Sequence, residues 1–233
     1  IVRNLALVLF GEAVIVFATI KLPTGFSLVA ILFGVCMTWL SSNGNRRGMI
    51  DFPHLTERAM LYVVFTFGEM IIAMTGYFEG DFTMNSLYFS LMGFMIIAAL
   101  FLSYEQLYDR IIDRERETTG MAYMLIHIVL IFAMNNLSSA LEFMHEEEVA
   151  LLPKTLFLIS SFLLFYFCLF ALLTYSKKEM GLCKRFVIPV ATVSVVFVIL
   201  MLLLREEMYL NIAISVVYVY AMLLRIYLYS RTK

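Results

Sequence analysis

Long apolar runs separated by short polar connections dominate this sequence. Most of them approach the ~20 residues that a helix needs to cross the ~30 Å hydrocarbon core of a bilayer. They are too long for barrel strands, and their apolar residues do not alternate as such strands require. The pattern predicts about eight transmembrane helices, over residues 2–20, 26–40, 59–77, 86–104, 121–141, 155–175, 186–204 and 210–229.

Composition supports this all-α, polytopic membrane fold. The 233 residues are 62% hydrophobic and 15% charged, with a mean hydropathy of +0.90, which is far outside the range of soluble domains. We expect residues 1–233 to form a single transmembrane domain. The first residue is Ile1 and no signal peptide is recognisable, so we expect part of the native N-terminus to be missing.

The charged residues predict how the helices are oriented. With the N-terminus in the cytoplasm, 14 of the 17 Lys and Arg residues fall in inner connections, as the positive-inside rule requires. Lys21, Lys154 and Arg205 are the three that lie outside. Eight spans then place both ends in the cytoplasm. After residue 104 the helix is expected to continue along the inner surface, with Arg110, Arg114 and Arg116 offsetting a ladder of carboxylates or, alternatively, with those carboxylates binding a cation.

The predicted third span holds a carboxylate, Glu69, about ten residues and therefore ~15 Å into the bilayer. A charge at that depth costs several kcal/mol unless it is neutralised, paired or hydrated, which favours a functional role. His54, Arg58 and Glu69 share one helical face, and Glu57 lies beside them. His54, Glu57 and Arg58 are candidates for a cytoplasmic gate, with interfacial anchoring as the alternative.

A second carboxylate, Glu12, repeats this arrangement in the first span. Phe10-Gly11-Glu12 matches Phe67-Gly68-Glu69, so the two carboxylates are expected at similar depth. If the helices are neighbours, the two groups could share a proton or a monovalent cation. In the predicted fifth span, His127 and Asn135 are further candidates for proton or ion binding. A structural hydrogen bond is the alternative for His127.

Other classes of function lack support in the sequence. The net charge of −1 and the absence of a basic patch argue against nucleic acid as a partner. Cys36, Cys168 and Cys183 have no metal-ligand spacing, and no catalytic or phosphate-binding motif is present. An enzyme is less favoured than a non-enzymatic role. The sequence leaves any cofactor unknown. The expected partner is the lipid bilayer, and the candidates for further partners are a small ion, proton or lipid ligand and a second copy of the chain.

The motif of the third span resembles the signature of the bacterial low temperature requirement A (LtrA) family. The resemblance rests on His54, Glu57, Arg58, Leu61, Tyr62, Gly68 and Glu69, without gaps. Another family motif, an early phenylalanine-rich helix, is not found. The resemblance implies a multi-span protein of the bacterial cytoplasmic membrane with a role in growth at low temperature. It brings no reaction, so three hypotheses stay open: a proton- or cation-linked transporter or channel, a lipid-binding or lipid-modifying protein, and a non-catalytic membrane partner.

Overall fold

A computed structural model describes residues 10, 11, 13–15, 17, 33, 34, 36, 37, 50–78, 83–145, 150–177, 180 and 184–231. In this part of the chain the structure is helical, and no strand longer than an isolated bridge occurs. Six helices are long and apolar enough to span a membrane. They are α1 (Phe52–Ala73), α2 (Met84–Gln106), α3 (Met121–His145), α4 (Leu151–Leu172), α5 (Lys184–Leu203) and α6 (Met208–Arg231).

These helices confirm the last six predicted spans and the helical membrane fold. Residues 2–20 and 26–40, which carry the first two predicted spans, lie mostly outside the described residues. The number eight and the location of both ends therefore stay predictions. Contacts group the chain into two compact units, Ile1–Ile50 with Glu117–Met121, and Asp51–Arg116 with Ala122–Lys233. The six helices belong to the second unit, apart from Met121, and the single-domain prediction stays a prediction.

Local sequence signals fix the starts of the first two helices. The Asp51 side chain accepts a hydrogen bond from the His54 backbone N–H, and Pro53 occupies the first turn of α1. Thr83 accepts one from the Ser86 backbone N–H at the start of α2. A 3-10 turn, Met74–Phe78, extends α1. The Asp51 and Thr83 side chains each satisfy a backbone donor that the first helical turn would otherwise leave unpaired, and Pro53 has no such donor.

Aromatic and aliphatic side chains fill the centre of the second unit. Phe67 of α1 packs edge-on against Phe101 of α2, with ring centroids 5.5 Å apart, and it also contacts Phe165 of α4. Tyr218 of α6 stacks on Phe197 of α5 at 4.0 Å. Lys154, near the start of α4, is the one charged residue that is fully buried in the described part of the chain. The middle of this unit is therefore filled mainly by apolar and aromatic side chains.

The end of α2 corrects one prediction. The expected surface helix beyond residue 104 stops early, because α2 ends at Gln106 and one π-helical turn, Leu107–Ile111, follows. The backbone then becomes extended and pairs with the chain after α4. Asp113 N–H donates to the Tyr175 carbonyl, and Lys177 N–H to that of Ile111, both at 2.9 Å. These bonds satisfy backbone groups that a continuing surface helix would have used internally.

Candidate functional site

Glu69 lies on the exposed face of α1 and not in the core. The buried face of the helix includes Val63, Phe67 and Met70, whereas the side chains around Glu69 point away from the other five helices. Phe65 and Ile72, one turn to either side, are 65% and 68% exposed. Glu69 itself is exposed and forms no hydrogen bond or ion pair with any described residue.

The depth of Glu69 makes this exposure significant. The span Phe52–Phe78 is 27 residues long, and Glu69 falls in the middle of its apolar part. Gly68 leaves open space beside it, because a Cβ built there would meet no atom within 4 Å. A carboxylate that faces hydrocarbon is stable only when it is protonated or covered by a polar group or ion.

The proposed partner of this carboxylate, Glu12, lies outside the described residues, so the pairing of Glu12 with Glu69 stays a prediction. Its neighbours Phe10 and Gly11 have helical backbone, as do Ala13, Val14 and Ile15.

At the start of α1, the candidate gate residues lie beside a polar cavity. The Nδ1 atom of the His54 imidazole lies 3.7 Å from a Glu57 carboxylate oxygen, a distance that allows an ion pair when the imidazole is protonated, and Arg58 is exposed. Glu57 also lines an open cavity of about 420 Å³, formed where α1 begins and where α2 and α4 end. The lining residues are Pro53, Glu57, Asp109, Ile112, Asp113, Arg114, Glu115 and Lys177.

The cavity is acidic overall. Four carboxylates face two cationic side chains, so its formal net charge is −2. Arg114 is held over the Tyr108 ring, 5.0 Å from the centroid. A hydrogen bond with the Tyr108 hydroxyl raises the pKa of its guanidinium, helped by the charges of Asp109 and Glu57. Arg114 thus stays positive while the rest of the lining attracts cations.

The sequence did not predict that the residues lining this cavity lie together. Arg116 was expected to offset the carboxylate ladder, but its guanidinium donates to the Thr174 carbonyl at 2.6 Å and lies over the Tyr175 ring. Asp109 and Asp113 instead line the same cavity as Glu57, which is more than fifty residues away in sequence. Only their shared location at predicted inner helix ends could have signalled this proximity.

His127 is buried, and both ring nitrogens have hydrogen-bond partners. Nδ1 lies 2.8 Å from the Tyr123 carbonyl, which can only accept, so this nitrogen carries the proton. Nε2 lies 3.0 Å from the Tyr104 hydroxyl, which therefore donates to it. This geometry is that of a neutral histidine joining α3 to α2 and supports the structural alternative. A proton-handling role for His127 stays a prediction.

Asn135, two turns beyond His127, is exposed on α3. The structure does not bring it into the hydrogen bonds of His127, and its proposed role in ion binding stays a prediction. In the described part of the chain, no group of three or more His, Cys, Asp or Glu side chains could hold a metal ion.

Comparisons with known proteins complete this description. No curated protein and no solved structure matches the chain. The model of one protein family, described as bacterial low temperature requirement A protein (LtrA), matches residues 1–224. This match covers nearly the whole chain and includes the motif that runs from His54 to Glu69. The chain is therefore a multi-span membrane protein that belongs to the LtrA family.

Proposed function

We propose that this protein carries protons or monovalent cations in the bacterial cytoplasmic membrane, with Glu69 as the group that binds and releases the ion. The exposure of Glu69 in the middle of an apolar span is the observation that carries the proposal. Binding of a proton or a cation neutralises the Glu69 carboxylate, and this neutralisation removes the cost of an isolated charge in hydrocarbon.

The exposed face of α1 is a better route than the centre of the second unit. The centre is apolar and aromatic, and the buried hydroxyls of Thr66, Ser103 and Ser161 donate to carbonyls of their own helices. A desolvated ion crossing such a core would meet no charged group at mid-depth among the described residues. The face of α1 instead carries His54, Arg58 and Glu69 along its length.

The acidic cavity supports the proposal at the predicted cytoplasmic end. A lining with net charge −2 raises the local concentration of cations, an effect that falls with ionic strength. Glu57 links the cavity to α1, because its carboxylate lines the cavity and lies 3.7 Å from the imidazole of His54 on the preceding turn. Glu57 therefore serves as an attracting group at the mouth, and Glu69 as the binding group.

Flux through proteoliposomes tests the proposal. We expect the wild-type chain to dissipate an imposed proton, sodium or potassium gradient, and Glu69→Gln to reduce the rate at least tenfold with normal insertion. The control is Glu206→Gln, which makes the same change at an exposed carboxylate in the turn between α5 and α6 and should leave the flux unchanged. Glu57→Gln should raise the half-saturating ion concentration more than it lowers the maximal rate.

Two results contradict the proposal. One is a wild-type protein that moves none of these ions under any gradient, and the other is a Glu69→Gln variant with wild-type flux. A lipid-modifying role predicts altered lipid composition in a deletion strain. A non-catalytic partner predicts that exchanging the cytoplasmic loops abolishes complementation while both glutamates are dispensable.

A further inference from the structure

A second cavity lies on the surface of the six-helix unit, between α2 and α6. It is a groove of about 320 Å³. Its walls are the side chains of Leu102, Gln106, Tyr220, Leu223, Leu224 and Tyr227. On α6 these positions follow one another by three, one and three residues, so they form one stripe along the helix.

The groove runs along two helices that span the membrane. Helices α2 and α6 are parallel, since the Tyr88 hydroxyl donates to the Tyr209 carbonyl near their starts and the Ser230 oxygen lies 3.4 Å from the Gln106 amide near their ends. The membrane span that contains α2 continues through the π-helical turn and ends at Ile111. Leu102 lies nine residues before Ile111, a distance of ~14 Å along the helix at ~1.5 Å per residue. The groove therefore extends from mid-bilayer to the level of the lipid headgroups.

Hydrogen-bond donors surround the headgroup end of the groove. The Ser230 hydroxyl donates its single proton to the Tyr227 carbonyl at 2.8 Å, so its oxygen, 3.4 Å from the Gln106 side-chain amide, is an acceptor for one amide N–H and leaves the other N–H as a donor. The Arg231 guanidinium lies over the Tyr227 ring, 4.7 Å from the centroid, so the ring holds a cation at the mouth. Asp109, three residues after Gln106, lines the acidic cavity described above instead.

We propose that this groove binds an anionic glycerophospholipid, with an acyl chain along the leucines and the phosphate at Arg231, Gln106 and the Tyr227 hydroxyl. The apolar wall suits an acyl chain, and the mouth offers a positive charge and neutral donors, which match a phosphate. A zwitterionic phospholipid carries the same phosphate, but its ammonium group offsets the attraction to Arg231 and weakens the binding. The location also agrees with the basic residues predicted at the cytoplasmic surface, where anionic lipids attract them.

Native mass spectrometry and thermal unfolding of the detergent-solubilised full chain test this site. We expect phosphatidylglycerol to be retained at least fivefold more than phosphatidylcholine of the same acyl chains, and to raise the unfolding temperature more. Arg231→Gln should remove most of that preference, whereas the matched Arg205→Gln, at the opposite helix ends, should keep it. Leu102→Trp should fill the groove and lower retention, whereas Leu203→Trp, at an exposed position of α5, should not.

The proposal is overturned by equal retention of the two lipids, by an Arg231→Gln variant with the wild-type preference, or by inorganic phosphate alone reproducing the stabilisation. Glu69→Gln should leave lipid preference unchanged. The failure of the transport proposal and the failure of this one are therefore separate results.

Discussion

The hydrogen bonds of His127 illustrate what single residues contribute to this fold. The sequence identified a polar residue in an apolar helix and left open whether it was structural. It could not identify Tyr104 as the partner, because that residue is 23 positions away on another helix and nothing in the neighbouring sequence marks it as a partner of His127. Depth along a span can be read from a sequence, whereas a cross-helix partner depends on how the helices pack.

Replacing Tyr104 with Phe tests this bond. The substitution removes the hydroxyl that donates to His127 Nε2 and leaves a buried acceptor unpaired, which costs about 1–3 kcal/mol. We expect a lower unfolding temperature in detergent. Tyr62→Phe, on the exposed face of α1, is the control and should change it little. Equal stability of the two variants would show that the bond contributes nothing.

Asn211 offers the opposite case. This residue near the start of α6 is fully buried, and neither its amide nitrogen nor its amide oxygen has a hydrogen-bond partner in the structure. Asn211→Leu removes the cost of burying those groups while keeping the number and branching of the side-chain heavy atoms. We expect a gain of about 1 kcal/mol, measured as a higher unfolding temperature. Asn85→Leu, at an exposed position, should give no such gain; a loss of stability at residue 211 would contradict the argument.

The sequence also could not predict which face of the helix bundle the Glu69 side chain points to. In a soluble helix the apolar face marks the core, but in a membrane the residues that face lipid are as apolar as those that face protein. The depth of Glu69 and its motif could therefore be predicted, whereas its location on the exposed face could not.

At the scale of elements, two glycines of the predicted spans have different surroundings. Gly93 of α2 is buried where the 3-10 turn after α1 packs, and a Cβ there would lie 3.4 Å from two atoms of Met74. Gly68 of α1 faces open space. One is a packing position, and the other lies beside Glu69 in open space.

A matched pair of substitutions separates these roles. Gly93→Leu should destabilise the protein by about 1–3 kcal/mol, because the added side chain overpacks the contact with Met74. Gly68→Leu should leave the unfolding temperature equal or slightly higher, because leucine favours helix more than glycine does. Under the proposed function it should nevertheless lower ion flux. Thermal unfolding and proteoliposome flux measure the two effects, and a destabilised Gly68→Leu variant would contradict the open space.

The early end of α2 shows why helix boundaries at the membrane surface were hard to predict. Residues 105–117 have helical periodicity, and nothing local ends the helix at Gln106. The stop comes from the chain after α4, whose backbone pairs with Ile111 and Asp113. Backbone hydrogen bonds between segments more than sixty residues apart therefore override the local preference for helix.

For the molecule as a whole, charge distribution and structure agree on which helix ends lie together. The start of α1 and the ends of α2 and α4 meet at the acidic cavity, as alternating spans require. At the opposite end, the Tyr77 hydroxyl after α1 donates to the Leu141 carbonyl of α3 at 2.6 Å. The sequence therefore predicted which helix ends lie on the same side, because each short polar connection reverses the direction of the chain.

Fusion reporters test the absolute orientation. A fluorescent protein placed after the last residue should fold and fluoresce, and a periplasm-dependent phosphatase at the same site should stay inactive, because the C-terminus is predicted to be cytoplasmic. Phosphatase inserted between α5 and α6 should be active. The reverse pattern would overturn the orientation while leaving the helices unchanged.

The parallel packing of α2 against α6 has a consequence for biogenesis. The bonds that join these helices connect residues 121 and 124 positions apart, so the ribosome makes α6 long after α2 has entered the membrane. Until then the matching side of α2 must be sheltered by lipid, by the insertion machinery or by a temporary neighbour. A chain whose synthesis stops before residue 208 would keep that side open and be a natural target for membrane proteases.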